Sequence, residues 1–255
     1  RGSHSLTLLL PRVGRIVARG GNVAIFDLNE ERAAGIVKEL GDAAAFFHCN
    51  VMEEESIDAA VAAAHAHFKE LHGAVCCAGG QIGAGLTVNR RGEPFKMKNW
   101  WNTVKLNAFG TFAVGSKVAA ITSQQEPVTE DGERGVLVNV ASVAAQDGQD
   151  GQSAYSAGKG AIVAMTLPMA RDLSRVGIRV NTILPGTMGT PMTKMMDPDQ
   201  GAKNAVGQGL KDATPFPKRF GYPDEFAGLA CHIIENGFLN GESIRLDGAI
   251  RMPKI

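Results

Sequence analysis

At 255 residues, the chain can hold one large α/β domain or at most two small ones. Its 26 basic residues balance 26 acidic ones, which excludes the one-signed field that draws nucleic acid or an anionic membrane. No apolar run approaches the ~20 residues needed to cross a bilayer, so an enzyme acting on small molecules is the class left standing.

In chain order, Arg1-Gly2-Ser3-His4 resembles the remnant of a purification tag and is set aside from the fold. Leu6 to Leu10 reads as a first strand. Val23 to Phe26 is a second, closed by Asp27. Asn29 caps a helix running to Leu40, and Gly41 stops it. Ala44 to His48 is a third strand, followed by an Ala-rich helix from Ser56 to Phe68. Ala74 to Cys77 is a fourth, broken by Ala78-Gly79-Gly80. Gln81 to Phe95 is a loop, Asn99 to Thr122 a long helix and Ser123 to Arg134 a charged loop. Gly135 to Val140 is a fifth strand, and Ile178 to Leu184 a sixth, stopped by Pro185-Gly186. A helix from Pro223 to Asn236 and a seventh strand from Glu242 to Leu246 finish the pattern. Short apolar runs alternating with helices predict a single-domain, Rossmann-like, doubly wound parallel sheet of about seven strands.

Between strands five and six lie Ser142, Tyr155 and Lys159. On a helix, positions i and i+4 share a face. A fixed ammonium one turn from a phenol favours the phenolate and makes Tyr155 a usable proton carrier. Ser142 follows a strand end, the edge where α/β sheets place ligands, and its hydroxyl could hold a substrate oxygen. The bland alternative is a packed ring beside a solvated amine, which Tyr-x-x-x-Lys in a helix usually is. Cys49, Cys76, Cys77 and Cys231 lack CxxC spacing and read as reduced core thiols. His65 and His67 diverge on a helix, so no metal site is expected.

Asp27, closing the second strand, suits the hydroxyls of an adenosine ribose and repels a 2′-phosphate, which argues for NAD. Its expected companion is a glycine-rich turn after the first strand. Only Gly14 is there, about 13 residues before Asp27, where about 20 are usual. Three readings stay open: a loop missing between Leu10 and Gly14, a deletion that removed cofactor binding, or an unusual grip on the pyrophosphate.

This constellation resembles the short-chain dehydrogenase/reductase family. Ser142, Tyr155 and Lys159 match its catalytic triad, and Asn107 in Leu106-Asn107-Ala108-Phe109-Gly110-Thr111 matches its fourth catalytic residue. Cys77-Ala78-Gly79 resembles its turn after strand four, and Pro185-Gly186 with Thr190 its nicotinamide-contacting turn. The resemblance implies cofactor contacts at Gly14, Asp27, Leu28, Asn50, Val51, Cys77, Ala78, Gly79, Tyr155, Lys159, Pro185, Gly186 and Thr190. Cys76 and Asn50 depart from the family pattern. Longer words, among them Ala141-Ser142-Val143-Ala144-Ala145 and Ile244-Arg245-Leu246-Asp247-Gly248-Ala249, resemble the branch acting on 3-hydroxyacyl-CoA and hydroxysteroids. That branch implies NAD as cofactor, Gln149 beside Ser142 and Tyr155 in the substrate site, and a homotetramer. It also implies the mitochondrial matrix for a eukaryotic source, or the cytoplasm for a bacterial one. Residues 188–218 are the expected substrate lid, with Met188, Met192, Met195 and Met196 facing an acyl tail or simply packing the lid down. Lys194, Lys203, Lys211, Lys218 and Arg219 are candidates for coenzyme A phosphates. Rival readings are a same-fold enzyme for 3-oxoacyl carrier thioesters or steroids, and a cofactor-free scaffold.

Overall fold

The computed structural model describes residues 9–190, 193–202 and 204–252. In chain order the elements are α1 (Leu9–Val17), β1 (Val23–Asp27), α2 (Glu30–Leu40), β2 (Ala44–His48), α3 (Glu54–Phe68), β3 (Gly73–Cys76), α4 (Met97–Val104), α5 (Gly110–Thr122), β4 (Gly135–Val140), α6 (Ser153–Ser174), β5 (Ile178–Pro185), α7 (Ala205–Asp212), α8 (Pro223–Glu235) and β6 (Ser243–Leu246). A π-helical turn, Lys105–Phe109, joins α4 to α5.

All strand pairings are parallel, in two ladders ordered β1-β2 and β3-β4-β5-β6. Helical crossovers cover both faces. β4 and β5 are buried at every position, and successive side chains on a strand point to opposite faces. Leu137 packs with Ile57 and Val61 of α3, Val114 and Val118 of α5, and Met169 of α6. Val136, Val138 and Val140 pack instead with Phe226, Ala230 and Ile233 of α8. Each such side chain contributes about 1.5–3 kcal/mol of burial, so β4 anchors both layers. The two ladders share no hydrogen-bonded neighbour among the described residues. They are joined through the core, where Phe26 and Phe47 pack against the cluster holding Cys76 and Leu137.

Two expectations are corrected. The strand placed at Leu6–Leu10 has its first three residues outside the described ones, and Leu9 and Leu10 open a helix. The described residues therefore hold six strands, not seven. Between Leu10 and Gly14, where a glycine-rich turn is expected, the chain runs as the helix α1. Gly14 consequently sits inside a helix, its carbonyl accepting from Ala18 N at 2.8 Å, not in a turn. α1 packs on α8, with Arg19 paired to Glu235 at 2.5 Å. The expected stops elsewhere are in place: Asn29 Oδ1 caps α2 through Arg32 N, and Gly41 ends it at φ +60°.

Candidate active site

The site is assembled at the C-terminal ends of β3, β4 and β5, from α6 and from the connection 141–152. α6 begins at Ser153 and carries Tyr155 in its first turn and Lys159 one turn later. Ser142 follows β4 in an extended conformation, and its Oγ accepts from Ala144 N at 3.1 Å, starting a short 3-10 turn at Val143–Ala145. The Ser142 hydroxyl is also hydrogen-bonded to the Tyr155 phenol. Of the expected triad, this pair is in direct contact.

Lys159 is buried, and its Nζ donates to Val140 O at 2.8 Å. It lies 5.8 Å from the centroid of the Tyr155 ring. Burial pushes its pKa down to about 8, against which the nearby Cys77 thiol acts in the opposite sense. Tyr155 does not follow the sequence expectation. Burial pushes its pKa above the ordinary 10, and the Ser142 hydrogen bond pulls the other way. The amine is itself desolvated and turned to a backbone carbonyl, so in this state the serine, not the lysine, is the group that eases ionisation of the phenol.

Asn107 lies in the π turn and is fully buried. Its amide donates to Gly80 O and Thr103 O, both at 2.7 Å, and its Oδ1 accepts from Gly80 N at 3.1 Å. Both donors of the side chain are occupied, so it ties the turn after β3 to the helix. Gly158 makes the approach possible, since a Cβ there would meet Asn107 Cβ at 3.0 Å. Gly79 is still more confined. A Cβ there would lie 2.6 Å from Asn107 Oδ1 and 2.8 Å from Lys159 Nζ. Gly186, next to Pro185, has the same constraint against Asp247, whose Cβ would be 2.8 Å away.

Asp27 is buried at the end of β1, with Oδ1 accepting from Asn29 N at 2.8 Å. Burial raises its pKa, and the backbone N–H groups of Asn29 and Leu28 oppose the shift. Leu28 is exposed beside it, and Val51 packs under Gly110. Asn50 uses its Oδ1 to hold Met52 N at 3.1 Å, a local turn. Ala78 is half-buried beside Cys77, Gln149 is half-buried in the connection before α6, and Thr190 is buried against Thr193. In the segment expected to be the lid, Met188 packs into the core, whereas Met195 is exposed; Met192 and Lys203 lie outside the described residues. Lys211 pairs with Asp199, and Arg219 with Glu225 at 2.7 Å, while Lys194 and Lys218 are exposed. Among the described residues no group of His, Cys, Asp and Glu could hold a metal, no helix is long and apolar enough to cross a membrane, and none of the four cysteines is in a disulfide.

The sequence model of the short chain dehydrogenases matches residues 12–201. The chain belongs to the short-chain dehydrogenase family. Among curated proteins it is 43% identical to 3-hydroxyacyl-CoA dehydrogenase type-2 of Bos taurus over 238 residues, 93% of this chain and 88% of that one. The Homo sapiens protein of the same name has the same identity and coverage. Among solved structures it is similar to 3-hydroxyacyl-CoA dehydrogenase type-2 from Mycobacterium avium, at 42% identity and a TM-score of 0.89, covering 98% of this chain and 93% of that one. As a short-chain dehydrogenase it is an oxidoreductase with a nicotinamide cofactor, which supplies the hydride acceptor when bound. Gly79, which leaves open the space beside Lys159 Nζ that a side chain would fill, fits the close approach of the nicotinamide end of that group. At the pyrophosphate end, Gly14 lies within α1 and not in a turn; the residues before Leu9 are outside the described ones.

One contributor lay outside the sequence reading. Arg245, on β6, reaches the connection between Ser142 and Tyr155, donating to Gln146 Oε1 at 2.7 Å and Asp147 Oδ2 at 2.6 Å. No local pattern marks partners so distant along the chain.

Proposed function

We propose that this short-chain dehydrogenase oxidises the 3-hydroxyl of 3-hydroxyacyl-CoA to the 3-keto thioester, with NAD as cofactor. The observation that carries the reading is the Ser142–Tyr155 hydrogen bond, with Lys159 one turn further along α6 and Gly79 against its amine. Ser142 holds the substrate oxygen and stabilises the charge that develops on it, and Tyr155 takes the hydroxyl proton at its phenolic oxygen. Lys159 orients against Val140 O and binds the ribose next to the nicotinamide. Asn107 braces the Gly79–Gly80 turn. Pro185, Gly186 and Thr190 would flank the nicotinamide; Cys77 and Ala78 line the turn beside it. Asp27 would take the adenosine ribose hydroxyls, with Leu28, Asn50 and Val51 alongside the adenine, and its carboxylate favours NAD over the 2′-phosphorylated form. Gln149 would meet the substrate.

The substrate class rests on the relatives, which carry the name 3-hydroxyacyl-CoA dehydrogenase type-2 at 42–43% identity. Exposed Met97, Trp101, Phe112 and Leu167 on α4, α5 and α6 support assembly into a homotetramer. The mitochondrial matrix is the proposed compartment for a eukaryotic source. The test is NADH-dependent reduction of acetoacetyl-CoA beside a steroid ketone and a 3-oxoacyl carrier thioester. Preferred turnover of acetoacetyl-CoA supports the reading; turnover of either rival alone refutes it.

A further inference from the structure

Ser142 and Tyr155 stand at opposite ends of one irregular connection, and their contact depends on how that connection is held. Its middle, Gln146 and Asp147, has no strand neighbour. The guanidinium of Arg245 supplies the hold. Nη1 donates to Gln146 Oε1, Nη2 to Asp147 Oδ2 and to Ile250 O at 2.9 Å, and Nε to Asp247 Oδ2 at 2.8 Å. The ion pairs are largely shielded, with side-chain exposures of 18% for Arg245, 16% for Asp147 and 8% for Asp247. Asp247 in turn abuts Gly186, and Gly186 N donates to Leu246 O at 2.9 Å. A single fork therefore connects the Ser142 connection, the turn after β5 and the end of β6. Arg251 balances the second carboxylate, 3.5 Å from Asp247.

We propose that Arg245 is a positioning residue for the reaction: it fixes the Gln146–Asp147 turn, and through it the contact of Ser142 with Tyr155. Only a planar fork meets the amide and the two carboxylates together; an ammonium on a flexible stem cannot. The inference rests on the dehydrogenase reading above.

The experiment is a cycle of Arg245→Met and Ser142→Ala in the full chain, with Asp147→Asn as a milder second route to the same turn. Arg245→Met is expected to lower kcat roughly a hundredfold, the effect of an ångström-scale misplacement, with KM changed much less. In the Ser142→Ala background the same change adds nothing further. Arg245→Lys does not rescue, and Asp147→Asn follows the same course at a smaller size. A readout independent of turnover is the titration of ring-labelled Tyr155, compared between wild type and variant. Ser142 and Lys159 are the groups that face the phenol, and loosening the serine moves Tyr155 to higher pH. Losses that add to Ser142→Ala, or an unmoved Tyr155 with normal kcat, overturn the proposal. A wild-type protein that turns over no 3-hydroxyacyl thioester sinks the substrate reading alone, because the Tyr155 titration still decides the clamp.

Discussion

Replacing Lys159 by Met should abolish turnover and raise stability. Burial brings the amine from 10.5 to about 8, and at about 1.4 kcal/mol per pKa unit the charged form costs the fold roughly 3 kcal/mol near neutral pH. Methionine fills similar volume without charge but gives up the bond to Val140 O, for which about 1 kcal/mol is set against the gain. A net stabilisation of about 2 kcal/mol corresponds to a melting temperature roughly 5 °C higher in a chain this long. The pH dependence carries a definite sign. Between about 8 and 10.5 the unfolded chain binds the proton that the folded chain has released, so wild-type stability climbs through that window. The advantage of Lys159→Met is thus full below pH 8 and fades toward 10.5. Calorimetry of both proteins across this range is the assay. A variant less stable than wild type at pH 7, or an advantage that grows with pH, refutes the reasoning.

Tyr155→Phe keeps the ring and should lower kcat by roughly 10²–10⁴, with NADH affinity by fluorescence titration unchanged; near-normal turnover rules out the proton role. Oxidation should accelerate as pH rises and reduction should slow, because the raised pKa of Tyr155 keeps the phenol protonated; initial rates in both directions over a pH series check the sign. Gly79→Ala forces a methyl against Asn107 and Lys159 and should cost about 1–3 kcal/mol of stability, measured by urea unfolding. Asn139→Leu replaces two buried side-chain atoms without partners by methyl groups on the same branched frame and should stabilise by about 1–3 kcal/mol in the same assay.

The elements that signalled themselves were those whose composition matches a single environment. Val136 to Val140 is apolar enough to be buried on both faces, and it is. The spacing of Tyr155 and Lys159 did place both on α6. Their electrostatics were not legible, because desolvation depends on what packs around the phenol and the amine, not on the four residues between them. α1 was hidden by Pro11, which reads as a break yet occupies the first turn of a helix, where its missing N–H would have had no intrahelical acceptor. The π turn at Asn107 follows from the bond to Gly80, 27 residues away. The Arg245 clamp joins positions 98 residues apart, beyond any window over which periodicity speaks.

The segment between β5 and α8 leaves and re-enters the body at adjoining points. Met188 and Gly221 form a parallel bridge, with Gly221 N donating to Thr187 O at 2.9 Å and Gly189 N to Gly221 O at 2.8 Å. An excursion with pinned ends can change length at a small entropic penalty, about 0.6 kcal/mol per doubling. Insertion or exchange within this segment therefore leaves the spacing of Tyr155 and Lys159 on α6 untouched, and if it is the substrate lid proposed for it, a new specificity can be grafted there.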